Sequence, residues 1–256
     1  MAVSPVGPLA TGFVLAALTF ASFAAAAAIE GVSIFSDADG SVAGLSPDAW
    51  AAVVIALFAW AFISANEIAG QRTLKDIYAL APKLTGLSGD ALLQALEPSA
   101  KRKRDGWIAA AAGLVLGAVL YIGQRNPDAP ELGYFDDFGI TAWWGISATM
   151  VLTSLIVRWV VMARGETSHV TNNLLDQAQL DLLSQDDARM VGRIALRGAL
   201  VWLLHAAILF LLFVGRPLNA VLILNFLAIV AIAVMVFVTP LALGPSIDLK
   251  RQAARA

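Results

Sequence analysis

The segment KRKRDGWIAAAAGLVLGAVLYIG, residues 101–123, sets the reading of the whole chain. It opens on Lys101, Arg102, Lys103 and Arg104, and from Gly106 it carries no charge until Arg125. A helix needs about 20 mainly apolar residues to cross about 30 Å of hydrocarbon. Lys and Arg concentrate in the cytoplasmic segments that flank such helices. One stretch therefore supplies both a membrane span and its direction.

Comparable runs lie near 9–29, 49–65, 140–162, 198–214 and 218–243, which with 107–123 make six. The expected fold is all-α: a polytopic integral membrane bundle of six transmembrane helices, one domain over residues 1–256. No Lys or Arg precedes the first run, so it reads as a retained span rather than a cleaved signal, which needs a basic start. With both termini inside, 15 of the 17 basic residues fall on the cytoplasmic side and only Arg125 and Arg216 outside. Eight acids in the outer loops against those two bases leave the outer face at −6, and the inner face at +4. The location that fits is a cytoplasmic membrane of bacterial inner-membrane type.

Composition agrees, since 59% of residues are apolar and 14% charged, against about half and about a quarter in soluble domains. The net charge of −2 suggests no nucleic-acid partner. With no cysteine and only His169 and His205, disulfides, thiolate metal sites and bis-histidine haem have no ligands to use. No cofactor or metal is expected. Asp37, Asp39, Ser41 and Asp48 resemble the spacing of a calcium loop, but Val42 stands where that loop needs glycine.

Tryptophans mark the ends of spans, where an indole is half-buried and its N–H hydrated. Trp50, Trp143 and Trp144 fall at outer ends, Trp107 and Trp159 at inner ends, and Trp60 and Trp202 deeper, as packing residues. Ser46, Pro47 and Asp48 read as the cap and first turn of the second span. Gly215, Arg216 and Pro217 read as a tight hairpin between the last two. The inner loops 66–106 and 163–197 contain helical stretches at 67–82, 88–97 and 169–183. Ser184 and Asp187 resemble a capping pair that opens a helix continuing into span five.

Ionisable groups at membrane depth are costly and tend to be functional, which singles out His205. It lies nine residues before the end of its run, and Asn225 seven after the start of the next. At 1.5 Å per residue these depths differ by about 3 Å. His205 and Asn225 are expected to face each other, with Ser147 and Thr149 at similar depth. This polar layer reads either as a pathway lining or as hydrogen bonding between packed helices, worth about 0.6 kcal/mol per contact. Ser147 and His205 are also the pair from which an intramembrane serine hydrolase would be built. Rhomboid proteases have a second glycine where this chain has Ala148, and take their histidine from a later span.

Arg189, Arg193 and Arg197 repeat every four residues and stripe one helix face before the fifth span. With Lys101–Arg104 they are expected to set orientation and to contact anionic lipid headgroups, at about 1 kcal/mol per charge. Ala109, Gly113 and Gly117 form a smooth stripe that permits close helix approach, as do Ala17, Ala21 and Ala25. Such stripes mark interfaces inside a bundle or between subunits, and the sequence leaves both open. Six spans with long loops after the second and fourth match the topology of the membrane half of ABC transporters, but no Walker motif follows, and no family is assigned.

The expected function is a non-catalytic multi-pass membrane protein acting as a subunit of a larger or homo-oligomeric complex. The second reading is a transport or channel subunit built on the His205/Asn225 layer, and the third an intramembrane hydrolase. The orientation is checked by single-cysteine variants of this cysteine-free chain. An impermeant thiol reagent should label Asp128→Cys in intact cells and Lys103→Cys only once the membrane is opened. The opposite pattern would invert the topology.

Overall fold

The computed structural model describes residues 7–36, 41–80, 99–125, 139–177 and 185–214, with Ile223 and Leu227. The helices are α1 (Pro8–Glu30), α2 (Pro47–Leu80), α3 (Ala100–Arg125), α4 (Ile140–Gln177) and α5 (Gln185–Phe210), followed by a 3-10 turn at Leu211–Phe213. Each contains a stretch long and apolar enough to cross a membrane, five in all. Among the described residues there is no strand, only isolated bridges of Phe35 and Val42 to Leu45. Several expectations fall outside the described residues: the sixth span at 218–243 apart from Ile223 and Leu227, with Asn225 in it, the hairpin at 215–217, the loop helix at 88–97, Ser184 of the capping pair and the acids Asp37 and Asp39.

Local chemistry explains the ends of these helices. The left-handed Gly31 closes α1, its N–H bonding Ala28 O at 3.4 Å while Val32 N–H bonds Ala27 O at 2.9 Å. That pairing is a Schellman motif, and glycine adopts its positive φ without steric cost. Ala43 (φ 54°) and Gly44 (φ 75°) turn the chain back, with reciprocal backbone bonds between Val42 and Leu45. Ser46 then caps α2: its Oγ accepts the N–H of Ala49 at 3.3 Å, and Pro47 occupies the first helical position.

Two helices run well past the spans expected at 49–65 and 140–162. α2 continues to Leu80 over 34 residues, and α4 to Gln177 over 38. A span and a separate loop helix are therefore one rod in each case. The reason is the absence of a breaker, since Gly70 and Gly165 are single glycines and no proline interrupts either helix. α5 likewise runs from Gln185 into its apolar stretch unbroken.

Packing joins the helices as two antiparallel hairpins and one addition. α1 packs on α2, α3 on α4, and α5 on the far side of α2, while α1 also touches α4. The α3–α4 contact is the closest. A Cβ built on Gly113 would lie 2.6 Å from Ser154 Cα, and one on Gly117 2.6 Å from Met150 Cα. Gly106 meets Met162 Sδ at 2.9 Å, and Gly145 on α4 meets the Tyr121 ring at 2.6 Å in the same sense. Positions rise along α3 as they fall along α4, which is the antiparallel register. Ala109 is buried on the same side. The stripe expected from Ala109, Gly113 and Gly117 thus lies within the bundle. Ala17, Ala21 and Ala25 are all exposed, and α1 instead buries Gly12, Phe23, Ala26 and Ala27.

Among the described residues, two apolar clusters lie in the interior. Val54, Phe58 and Ala61 of α2 pack against Ile208 and Leu209 of α5. Phe23 and Ala27 of α1 pack against Ala49 and Ala52 of α2, with Trp144 of α4 set edge-on to Phe23 at 5.1 Å. Gly117→Val would force a branched side chain into the α4 backbone, an overpacking that costs about 1–3 kcal/mol. Thermal unfolding in detergent should show that loss for Gly117→Val. Val119→Ala, on the exposed face, should stay within about 0.5 kcal/mol.

Candidate functional site

Among the described residues His205 is the buried ionisable side chain, 4% exposed, set between α2, α4 and α5. Its Nδ1 lies 2.6 Å from Val201 O, one turn back on α5. A carbonyl oxygen only accepts, so Nδ1 carries the proton and donates. Phe58 and Phe62 of α2 stand edge-on to the imidazole at 5.0 and 5.6 Å. From α4 come Ile156 and Trp159, the latter edge-on to Trp202 at 4.5 Å. Together these six side chains line a small, partly open cavity of about 10 Å³ whose wall is apolar.

Ser147 and Thr149, two of the residues grouped with His205 in the sequence, lie apart from this box. Ser147 is exposed, and it precedes Ile156 by nine residues, which is about 14 Å along the helix axis. Thr149 contributes its carbonyl oxygen to the close contact with Gly117. His205 Nε2 has no hydrogen-bond partner, so no Ser147–His205 dyad forms. Asn225 lies outside the described residues. No group of three or more metal-ligating side chains occurs among the described residues.

The basic residues divide by what they touch. Lys101, Lys103 and Arg104 are exposed at the start of α3, and Arg104 makes a loose 3.8 Å pair with its neighbour Asp105. Arg102 turns inward and donates from Nη2 to Met162 O of α4. Beside it the Arg158 guanidinium sits over the Trp107 ring, 4.4 Å from its centre, a cation–π contact that needs no counter-ion. Arg197 pairs with Asp76 of α2 at 2.6 Å. Arg193 is exposed, and the Arg189 side chain is not among those described.

At the opposite end, Glu30 closes α1 onto α4. Its Oε2 accepts the Thr141 N–H at 2.9 Å and the Thr141 hydroxyl at 2.6 Å. A carboxylate there meets the unsatisfied N–H groups and the positive end of the α4 dipole. A Cβ on Gly139 would strike that carboxylate, so glycine at this position makes room for it. The indole N–H of Trp144 donates to Ser22 Oγ at 2.9 Å, and that of Trp50 to Leu211 O at 2.7 Å.

The sequence reading missed Glu30–Thr141, Asp76–Arg197 and Arg158–Trp107. A usable signal existed for the last, since Arg158 and Trp107 both sit at the same expected membrane boundary. The other two join residues more than a hundred positions apart with no local pattern.

The chain matches no known protein family, characterised protein or solved structure. Its assignment therefore stays at the level of an all-helical protein with five helices long and apolar enough to span a membrane.

Breaking a fully buried ion pair by removing one partner costs about 3–5 kcal/mol. Asp76 and Arg197 keep 16% and 22% of their side-chain surface exposed, so the expected cost of Asp76→Ala lies below that range. The double variant Asp76→Leu/Arg197→Met should recover most of the loss. A double-mutant cycle on detergent unfolding temperatures reads the coupling, and strict additivity would remove the pair from the stabilising contacts.

Proposed function

We propose that the protein is a non-catalytic, multi-pass membrane subunit that works by contact, either as a homo-oligomer or within a larger complex. One observation carries this reading: His205, the buried ionisable side chain of the described apolar helices, is walled in by Phe58, Phe62, Trp159 and Trp202. A transport path needs a polar lining, and a hydrolase needs a base within reach of a nucleophile. Among the described residues the box around His205 offers neither, which favours a role for the surfaces.

Those surfaces are extensive. α1 turns Phe13, Val14 and Leu18 away from the bundle beside the exposed Ala17, Ala21 and Ala25. Small residues at four-residue spacing let a second helix approach closely in lipid. Six spans, both termini on the cytoplasmic side, and residence in a bacterial inner membrane belong to the same proposal, supported by the distribution of basic residues. The exposed Lys101, Lys103 and Arg104 are then placed to contact anionic headgroups.

Native mass measurement after extraction in mild detergent tests the reading. The expected result is a homo-oligomer or a reproducible set of co-purifying chains. Recovery as a bare monomer, together with solute flux in proteoliposomes that His205→Ala abolishes, would replace it with the transport reading.

A further inference from the structure

Arg158 carries an uncompensated charge at the boundary of the apolar helices. Its guanidinium sits over the Trp107 ring, 4.4 Å from the centre, and it makes no ion pair or hydrogen bond among the described residues. None of its nitrogens is a buried atom without a partner, so its N–H donors reach the surface. The group stays charged at every accessible pH, and an aromatic face steadies it without cancelling that charge.

The surroundings add to the charge. α4 has no acid from Ile140 to Met162, and Asp105, the single acid of α3, faces Arg104 at 3.8 Å. Arg102 reaches Met162 O, one turn along α4 from Arg158, and Lys101, Lys103 and Arg104 are exposed nearby on α3. Next to them the surface turns apolar, with Trp107 64% and Ile108 60% exposed.

We propose that Arg158, steadied by Trp107, binds the phosphate of one anionic phospholipid, while the bases at 101–104 supply the field that favours a negatively charged headgroup. The proposal deepens the headgroup contact given above and rests on that membrane placement. A guanidinium offers a fork of N–H donors that grips two phosphate oxygens at once, where a lysine offers a point charge. The exposed apolar surface at Ile108 gives acyl chains a place to lie, which free phosphate would not use.

Native mass measurement tests the site on the full-length protein, delipidated in mild detergent and titrated with phosphatidylglycerol or phosphatidylcholine. The expected result is one phosphatidylglycerol retained in preference to phosphatidylcholine. Arg158→Lys, which keeps the charge, should retain it about tenfold more weakly, with thermal unfolding in the absence of lipid showing that the variant is folded. Equal retention of the two lipids by the wild-type protein would overturn the proposal. Loss of retention in Lys101→Gln/Lys103→Gln/Arg104→Gln, with Arg158→Lys unchanged, would leave the general headgroup contact standing and strike this site alone. Displacement of the lipid by excess inorganic phosphate would overturn the lipid assignment in favour of free phosphate.

Discussion

The bundle depends on backbone meeting backbone between α3 and α4. Gly113 and Gly117 bring one helix to within van der Waals distance of the other's main chain, at the level of Ser154 and Met150. In hydrocarbon there is no hydrophobic gain from pairing two apolar helices, because lipid chains are as apolar as leucine. Close packing and the contacts it permits have to supply the attraction. That approach sets the register, and the register places Arg102 against Met162 O and Arg158 over Trp107 at one end. At the other end it places Tyr121 against Gly145.

The remaining helices are held by different means. α1 and α2 share an apolar seam around Phe23, Ala27, Ala49 and Ala52, with Gly12 letting the Ser64 side chain and Trp60 come close. α5 joins α2 through Phe58 and Ile208 and is pinned near the start of its apolar stretch by Arg197 on Asp76. The Glu30 carboxylate at the start of α4 links the two hairpins. Polar contacts thus gather near the ends of the apolar stretches, where water and headgroups lower their cost, and the middle is left mainly to aromatic and aliphatic side chains.

The apolar helices were legible in the sequence because span length and charge-free composition are local properties. The pairing of faces was not. Gly113 and Gly117 and the alanines at 17, 21 and 25 look alike as strings, yet one stripe is buried against α4 and the other exposed. Which face of a helix turns inward depends on its neighbours, and one sequence does not record them. His205 stood out as an intramembrane ionisable group, but its companions did not. Equal depth along separate helices suggested Ser147 and Thr149, whereas the slide between α4 and α5 brings Ile156 and Trp159 to the ring. Asp76 and Arg197 looked like ordinary loop charges until two unbroken helices carried them together.

The length of α2 and α4 has a mechanical consequence. At 1.5 Å per residue, their 34 and 38 residues make rods of about 51 and 57 Å, well beyond the roughly 30 Å of a bilayer's hydrocarbon. A helix without proline or a run of glycines does not bend sharply. Each rod therefore behaves as a lever, with the His205 box part-way along and an arm that runs beyond it, that of α2 tied to α5 by Asp76 and Arg197. A sideways push on either arm would tilt Phe58 and Phe62, or Ile156 and Trp159, by way of the same rigid shaft.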